Sequence, residues 1–269
     1  MQSKITTSTA SLALLLLACA RVIGGPAQLA QSLSLSLTPA DPAATPAGPA
    51  ATPALPTAAP QASPNPFEPE IKALEAKLSD PPSNPIVFYG SSSIRLWKTL
   101  RQDFPGYQVL NCGFGGSRLT DCVKFAPRLV LRLKPSAVII YAGDNDLALG
   151  TAPEKVFNSF QQLFRILRSD LPNVPLAFLS VKPSPARMKY FDNIRRFNEM
   201  VDIYLEHKPD TEYIDVCSNM LGPDKRPISS FFIGDQIHLS PAGYQILRKD
   251  VGDFLRQELA NAKTKTALH

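Results

Sequence analysis

Five short apolar segments, each separated from the next by a longer stretch with helical periodicity, constrain the fold of this chain more than any other feature. The segments are residues 86–89, 109–110, 137–141, 176–181 and 213–216. They are apolar on both faces, which is typical of parallel strands covered on each side by helices. Helices are predicted at residues 68–78, 93–103, 119–133, 153–169, 187–206 and from 241 to about 260. The alternation predicts a flavodoxin-like three-layer α/β/α sandwich with a five-stranded parallel sheet.

The composition before this region is different. Residues 26–66 are almost entirely Ala, Pro, Thr, Ser, Leu and Gln, with Asp41 as the only charge. Such a segment buries too little apolar surface to offset its ordering entropy, so a disordered linker is predicted, reaching roughly 100 Å if extended at about 3.1 Å per residue. The folded domain is then predicted at residues 67–262, followed by a tail at 263–269.

Residues 1–25 are predicted to be an export signal. Lys4 precedes an apolar run at residues 11–18 that is too short to span a bilayer. The sequence Leu-Leu-Ala-Cys ending at Cys19 resembles a bacterial lipobox, which predicts a lipid on Cys19 and a membrane anchor facing the periplasm or the cell exterior. Ala18-Cys19-Ala20 also fits ordinary signal peptidase, which would release a soluble secreted protein. The long linker favours the lipid anchor.

The remaining cysteines and the charge exclude several function classes. Cys112, Cys122 and Cys217 are an odd number, so they permit at most one internal disulfide, and their spacing matches no metal site. The net charge of +5 includes no dense basic block, which predicts no role in nucleic-acid binding. No metal and no cofactor are predicted, and the sequence does not indicate an oligomeric state.

Polar motifs follow the predicted strands. They are Gly90-Ser91-Ser92-Ser93, the turn from Asn111 to Gly116, Gly143-Asp144-Asn145-Asp146, and Asp235-Gln236-Ile237-His238. Because parallel strands end at one edge of a doubly wound sheet, where ligands bind, we expect these motifs to lie close together.

Together the motifs contain the groups that acyl transfer needs. A serine becomes a nucleophile when a histidine takes its proton and a carboxylate orients that histidine. Of the three histidines, His269 is the last residue and His207 lies at a polar helix end, which leaves His238. Ser92, at a strand-to-helix turn, is the candidate nucleophile, although serines there can also serve only as helix caps. Asp235 precedes His238 by three residues on one loop.

This set of residues resembles the SGNH hydrolases, also called GDSL-like lipases or acylhydrolases. The family blocks carry Ser, Gly, Asn and His in that order, here Ser92, Gly116, Asn145 and His238, with Asp235 in the D-x-x-H block. The resemblance implies that the oxyanion is bound by the amides of Ser92 and Gly116 and by the Asn145 side chain.

One position departs from the family pattern. The family carries Asp before the nucleophile, where this chain has Ser91, and three consecutive serines leave the register open. Counting from Gly90 and from Trp97, which stands where the family often has an aromatic residue, selects Ser92.

The resemblance implies a metal-independent serine esterase acting on a small-molecule or glycan ester, with short acyl chains favoured because the loops after the strands are short. A carbohydrate O-deacetylase, an O-acetyltransferase or a lysophospholipase would use the same residues. A non-catalytic scaffold lipoprotein and a flavodoxin-like redox protein are alternatives from other classes. Arg118 and Lys182, together with Arg187, lie in loops near the predicted cleft, either as substrate contacts or as solvated charges.

Overall fold

The computed structural model describes residues 65–267, with side chains as far as Glu258. The predicted export signal, Cys19 and nearly all of the predicted linker lie outside the described residues, so these assignments stay predictions.

The sheet has the five parallel strands that the apolar segments predict. They are β1 (Ile86–Gly90), β2 (Val109–Gly113), β3 (Ala137–Tyr141), β4 (Leu176–Leu179) and β5 (Thr211–Ile214). Their order is β2-β1-β3-β4-β5, and every pairing is parallel. This order is the doubly wound, flavodoxin-like one, in which β1 has neighbours on both sides and the connections change direction.

Helices connect the strands and cover both faces of the sheet. The longer ones are α1 (Glu68–Lys77), α4 (Leu119–Leu129), α6 (Pro153–Asp170), α7 (Phe191–Glu206) and α9 (Pro241–Ala267). Four short ones are α2 (Ser92–Arg95), α3 (Leu100–Asp103), α5 (Asp144–Ala148) and α8 (Val216–Asn219). Within residues 65–267, no helix combines the length and apolar character needed to cross a bilayer.

The single helix predicted at residues 93–103 is wrong, because the chain there forms α2 and α3 with a bend between them. The indole Nε1 of Trp97 and the hydroxyl of Thr99 both donate to Asp103 Oδ2, at 2.7 and 2.6 Å. The bend places the Trp97 ring against Phe88, Phe104 and Tyr244. Tertiary burial of the one tryptophan therefore overrides local helical periodicity.

The two faces of the sheet have separate cores built from alternate residues of each strand. In β1, Val87 and Tyr89 pack with α1, α4, α6 and α7, whereas Ile86 and Phe88 pack with α2, α3 and α9. Cys112, Cys122 and Cys217 are all buried as free thiols, so no disulfide joins them.

The strand register brings three strand ends to one level. Gly90, the last residue of β1, pairs with Gly113 of β2 and with Tyr141 of β3. The loops that leave these three strands therefore emerge side by side, at the point where the order of strands reverses.

Candidate active site

Gly90 makes the sharp exit from β1 that presents the serines. Its φ is +134°, and a Cβ added there would lie 1.9 Å from the carbonyl oxygen of Tyr141. Only glycine fits so close to the neighbouring strand. The amide of Ser91 donates to the same carbonyl at 3.0 Å, and α2 begins at Ser92. Because a first-turn amide has no partner inside its own helix, the Ser92 N–H is available to a ligand.

The structure brings Ser92, His238 and Asp235 together. His238 Nε2 lies 3.1 Å from Ser92 Oγ, and His238 Nδ1 lies 2.5 Å from Asp235 Oδ2. With the Nδ1 proton directed to the carboxylate, Nε2 accepts the serine hydroxyl proton. This arrangement can move a proton from the hydroxyl to the imidazole while the carboxylate stabilises the resulting cation.

Contacts on both sides hold the histidine loop in place. The amide of Ile233 donates to the carbonyl of His238 at 2.8 Å, which closes a tight turn around the D-x-x-H segment. From the first turn of α9, the hydroxyl of Tyr244 donates to the carbonyl of Ser93 at 3.0 Å. The helix that follows His238 is thereby tied to the helix that carries Ser92.

Asp235 is held as a carboxylate. The hydrogen bond from the His238 ring, followed by bonds from the amides of His238 and Ile237, lowers the pKa of Asp235 to about 2. Both amides donate to Oδ1 at 2.9 Å, which leaves Oδ2 for the imidazole. Asp235 therefore stays ionised at neutral pH.

Gly116 and Asn145 follow the next two strands at this edge of the sheet, β2 and β3. Asn145, in α5 directly after β3, donates from Nδ2 to the carbonyl of Ser117 at 3.0 Å. This contact ties the side-chain amide to the turn that contains Gly116, whose φ is +74°. Arg118 follows this turn with its side chain half exposed and 3.5 Å from Asp121. Within the described part of the chain, no hydrogen bond or ion pair joins it to Ser92 or His238.

Lys182 does not lie at the edge of the cleft, where the sequence places it as a substrate contact or a solvated charge. Its side chain is 1 % exposed, and its ammonium donates to Ser93 Oγ at 3.1 Å, Tyr141 OH at 3.0 Å and Asp144 Oδ2 at 3.2 Å. All three ammonium protons are used in these hydrogen bonds, so Lys182 supports the residues around the site from within the protein interior.

Asp144 and Arg187 complete this buried cluster. The sequence placed Asp144 in a strand-end motif and Arg187 among the charges near the cleft, but it did not predict that they pair. Asp144 is 2 % exposed and accepts from Arg187 Nη1 at 3.0 Å and from Ser91 Oγ at 3.4 Å. Burial alone would raise the pKa of Asp144, but the charges of Lys182 and Arg187 outweigh it and hold that pKa below its usual value. Burial lowers the pKa of Lys182, and Asp144 opposes that shift. The signal available in the sequence was a carboxylate shortly after the fully apolar strand β3, separated from it by Ala142 and Gly143.

The first helix also reaches the site. Glu70 of α1 accepts from the amide of Gly115 at 3.2 Å and lies 3.7 Å from Arg95 of α2. A Cβ on Gly115 would lie 2.7 Å from the Arg95 side chain. Helices α1 and α2 thus clamp the turn immediately before Gly116.

No group of three or more His, Cys, Asp or Glu side chains within residues 65–267 is placed to hold a metal ion. The groups gathered at the strand ends are instead a hydroxyl, an imidazole, carboxylates and amide donors, which is the set that acyl transfer needs.

Comparison with known proteins agrees with the fold. Residues 86–246 match the model of a family described as the GDSL-like lipase/acylhydrolase family. A search of curated protein sequences finds no match. Among solved structures, a Streptococcus pneumoniae protein described as a platelet activating factor is similar with a TM-score of 0.63 and 18 % identity, over 70 % of this chain and 92 % of that one.

Two further solved structures have the same fold. A Bacteroides fragilis protein described as an acylhydrolase matches with a TM-score of 0.63 and 18 % identity, over 70 % of this chain and 96 % of that one. A carbohydrate esterase family 3 protein from Talaromyces cellulolyticus matches with a TM-score of 0.53 and 16 % identity, over 66 % and 99 %.

Proposed function

Because the chain belongs to the GDSL-like lipase/acylhydrolase family, we propose that it is a serine esterase that cleaves carboxylic esters through an acyl-serine intermediate. The observation that carries the proposal is the continuous line of contacts from Ser92 Oγ to His238 Nε2 at 3.1 Å and from His238 Nδ1 to Asp235 at 2.5 Å.

In the proposed mechanism Ser92 Oγ attacks the ester carbonyl while His238 Nε2 takes the hydroxyl proton. Asp235, already ionised, keeps the ring oriented and stabilises the imidazolium. His238 then gives the proton to the leaving alcohol, which departs and leaves the acyl group on Ser92. A water molecule, deprotonated by His238, attacks the acyl-serine and releases the carboxylic acid and the free serine.

The negative oxygen that forms in each half-reaction needs preorganised donors. We assign that role to the amides of Ser92 and Gly116 and to the side-chain Nδ2 of Asn145. Support comes from the first-turn position of the Ser92 amide and from the hydrogen bond between Asn145 and Ser117, directly after Gly116.

Short-chain esters are the proposed substrates. The side chains of His238 and Asp235 are 29 % and 41 % exposed, so the site opens to solvent near the domain surface. An open site buries few methylene groups of an acyl chain. The same exposure favours, as a second candidate, deacetylation of a carbohydrate, in which the bulky alcohol stays outside the protein. The Talaromyces cellulolyticus protein of the same fold, described as a carbohydrate esterase, adds support.

We also propose that the enzyme is exported and held at a membrane by a lipid on Cys19. The proposal rests on the lipobox-like sequence and the long Pro/Ala-rich segment that follows it. Mass spectrometry of the mature N-terminus separates the two cleavage alternatives. A lipidated Cys19 at the first position supports the anchor, and an unmodified terminus after Ala20 contradicts it.

A fluorophosphonate probe tests the proposed function. The probe should attach once, at Ser92, and Ser92→Ala should abolish both labelling and turnover of p-nitrophenyl acetate. Ser91→Ala and Ser93→Ala are the matched controls, because both keep the Ser92 hydroxyl. If peptide mapping located the adduct on Ser91 or Ser93, the assignment of the nucleophile would be wrong. An unlabelled folded protein would instead favour a scaffold without catalytic activity.

A further inference from the structure

We propose that Arg187 is a positioning residue for the esterase reaction, and that it sets the orientation of the Asn145 side-chain amide so that Nδ2 faces the developing oxyanion. This inference rests on the proposed function. It adds a residue that is distant in sequence from the GDSL-type motifs and that would act through Asn145 without touching the substrate.

The guanidinium of Arg187 bridges two neighbouring residues of α5. Nη1 donates to Asp144 Oδ2 at 3.0 Å, and Nη2 donates to Asn145 Oδ1 at 3.0 Å. A planar fork with two parallel donors suits such a bridge, whereas a single ammonium cannot occupy both positions.

The partners of Asn145 allow only one orientation of its amide. A guanidinium has donors and no acceptor, so the atom facing Arg187 must be the amide oxygen. The Ser117 carbonyl has only acceptor capacity, so the atom facing it, at 3.0 Å, must be the amide nitrogen. A side-chain NH₂ group carries two protons, and the contact with Ser117 uses one of them. The second proton remains for the oxyanion.

Arg187 is itself held firmly. Its acceptor Asp144 is 2 % exposed and is anchored by Lys182 at 3.2 Å and by the hydroxyl of Ser91 at 3.4 Å. The buried ion pair of Lys182 and Asp144 therefore fixes the Arg187 guanidinium, and the guanidinium in turn fixes the Asn145 side-chain amide.

A cation beside an esterase site could instead bind an anionic substrate, but the geometry of Arg187 argues against that role. The side chain of Arg187 is 16 % exposed, and both terminal nitrogens are already bonded to protein acceptors. The guanidinium keeps N–H groups that these bonds do not use, but Asp144 at 3.0 Å already pairs with its charge, which weakens its attraction for a substrate anion.

Without Arg187 the amide can rotate and present its oxygen to the oxyanion, which would repel the transition state. Removing one oxyanion donor lowers kcat roughly 10²- to 10³-fold, which sets the scale for a partly misoriented Asn145 amide. We expect Arg187→Met to lower kcat about 10- to 100-fold with little change in KM. Arg187→Lys keeps the charge and loses the bridge, so it should also lower kcat.

The test uses p-nitrophenyl acetate with Arg187→Met, Arg187→Lys, Asn145→Ala and the double variant Asn145→Ala/Arg187→Met. Fluorophosphonate titration counts competent Ser92 in each preparation. Arg195→Met is the matched control, since Arg195 is 69 % exposed and lies 3.8 Å from its ion-pair partner, Asp192. If Arg187→Met fails to fold, Arg187→Lys supplies the same comparison.

The double variant decides the outcome. With Asn145 absent there is no amide to orient, so its kcat should match that of Asn145→Ala within about threefold. Losses that multiply in the double variant would overturn the positioning role. A rise in KM with unchanged kcat in Arg187→Met would overturn it in favour of substrate binding. Wild-type protein that neither hydrolyses esters nor accepts the probe would overturn the proposed function itself, a result distinct from failure at Arg187 alone.

Discussion

Replacing Asp144 by asparagine is expected to destabilise the domain by about 4 kcal/mol at pH 7.5, and Lys182→Met by much less. Asp144→Asn leaves a fully buried ammonium without its counter-ion. The folded variant avoids a buried, unpaired charge at the lowest free-energy cost by deprotonating Lys182, whose ordinary pKa is 10.5. Three pH units between that value and the assay pH, at about 1.4 kcal/mol each, give about 4 kcal/mol. This falls in the range of about 3–5 kcal/mol for breaking a buried ion pair.

Lys182→Met leaves no buried charge unpaired, because Asp144 still accepts hydrogen bonds from Arg187 at 3.0 Å and from Ser91 at 3.4 Å. The expected cost is about 1–2 kcal/mol for the lost hydrogen bonds. The two variants should also differ in their pH dependence. In Asp144→Asn the folded state binds fewer protons than the unfolded state, so stability rises with pH, and the deficit should shrink to about 2 kcal/mol at pH 9. Lys182→Met should show no such slope.

Urea unfolding followed by fluorescence measures both effects. Trp97 is the only tryptophan and is 1 % exposed, so its emission reports the loss of the core. With a slope of about 2 kcal/mol per molar urea, the Asp144→Asn midpoint should fall by about 2 M. A Lys182→Met deficit equal to or larger than that of Asp144→Asn would refute the reasoning. So would an Asp144→Asn deficit that does not depend on pH.

Three further predictions follow from other parts of the molecule. Acetyl to butyryl esters should be turned over faster than octanoyl esters, since each methylene left exposed forgoes about 0.8 kcal/mol; kcat/KM rising steadily to palmitoyl would contradict the open site. Burial raises the pKa of Asp146 to about 6 from 3.8. The folded state therefore binds this proton more tightly, and stability is lost as pH rises from about 4 through 6. In urea titrations the free energy of unfolding of Asp146→Asn should rise relative to that of the wild type by up to about 3 kcal/mol between pH 4 and 7. A difference between the two proteins that does not change with pH would contradict the raised pKa. Burial raises the pKa of the thiols of Cys112 and Cys217 to about 12 and raises that of Cys122 as well. Iodoacetamide at pH 8 should modify none of the three until urea is added, and peptide mapping that found native modification would contradict their burial.

Much of the fold could be predicted from local pattern. The strand β3 lies at residues 137–141 and α9 begins at Pro241, both as predicted. Both features are set by apolar periodicity and by the residues at the start of a helix, and both signals lie within a short stretch of sequence. The start of β5 at Thr211 was not predictable, since Thr211 and Glu212 carry no apolar signal and join the sheet by pairing with β4.

The candidate site, too, was predictable from the sequence only in part. Each motif residue at a strand end could be named from the sequence, because the ends of parallel strands share one edge of the sheet. The distances from Ser92 to His238 and from His238 to Asp235 could not, because the loop after β5 passes through α8 and several turns before it returns.

By itself the sequence determined the doubly wound sheet and the choice of His238, since periodicity and the scarcity of histidine left few alternatives. Only the tertiary structure decided what supports the site. Lys182 and Arg187 have the same charge and similar loop surroundings in sequence, and both were equally compatible with a solvated surface. Packing around Asp144 buried the first and aimed the second at Asn145. A charge's role depends on which acceptors surround it, and those acceptors come from strands and helices far apart along the chain.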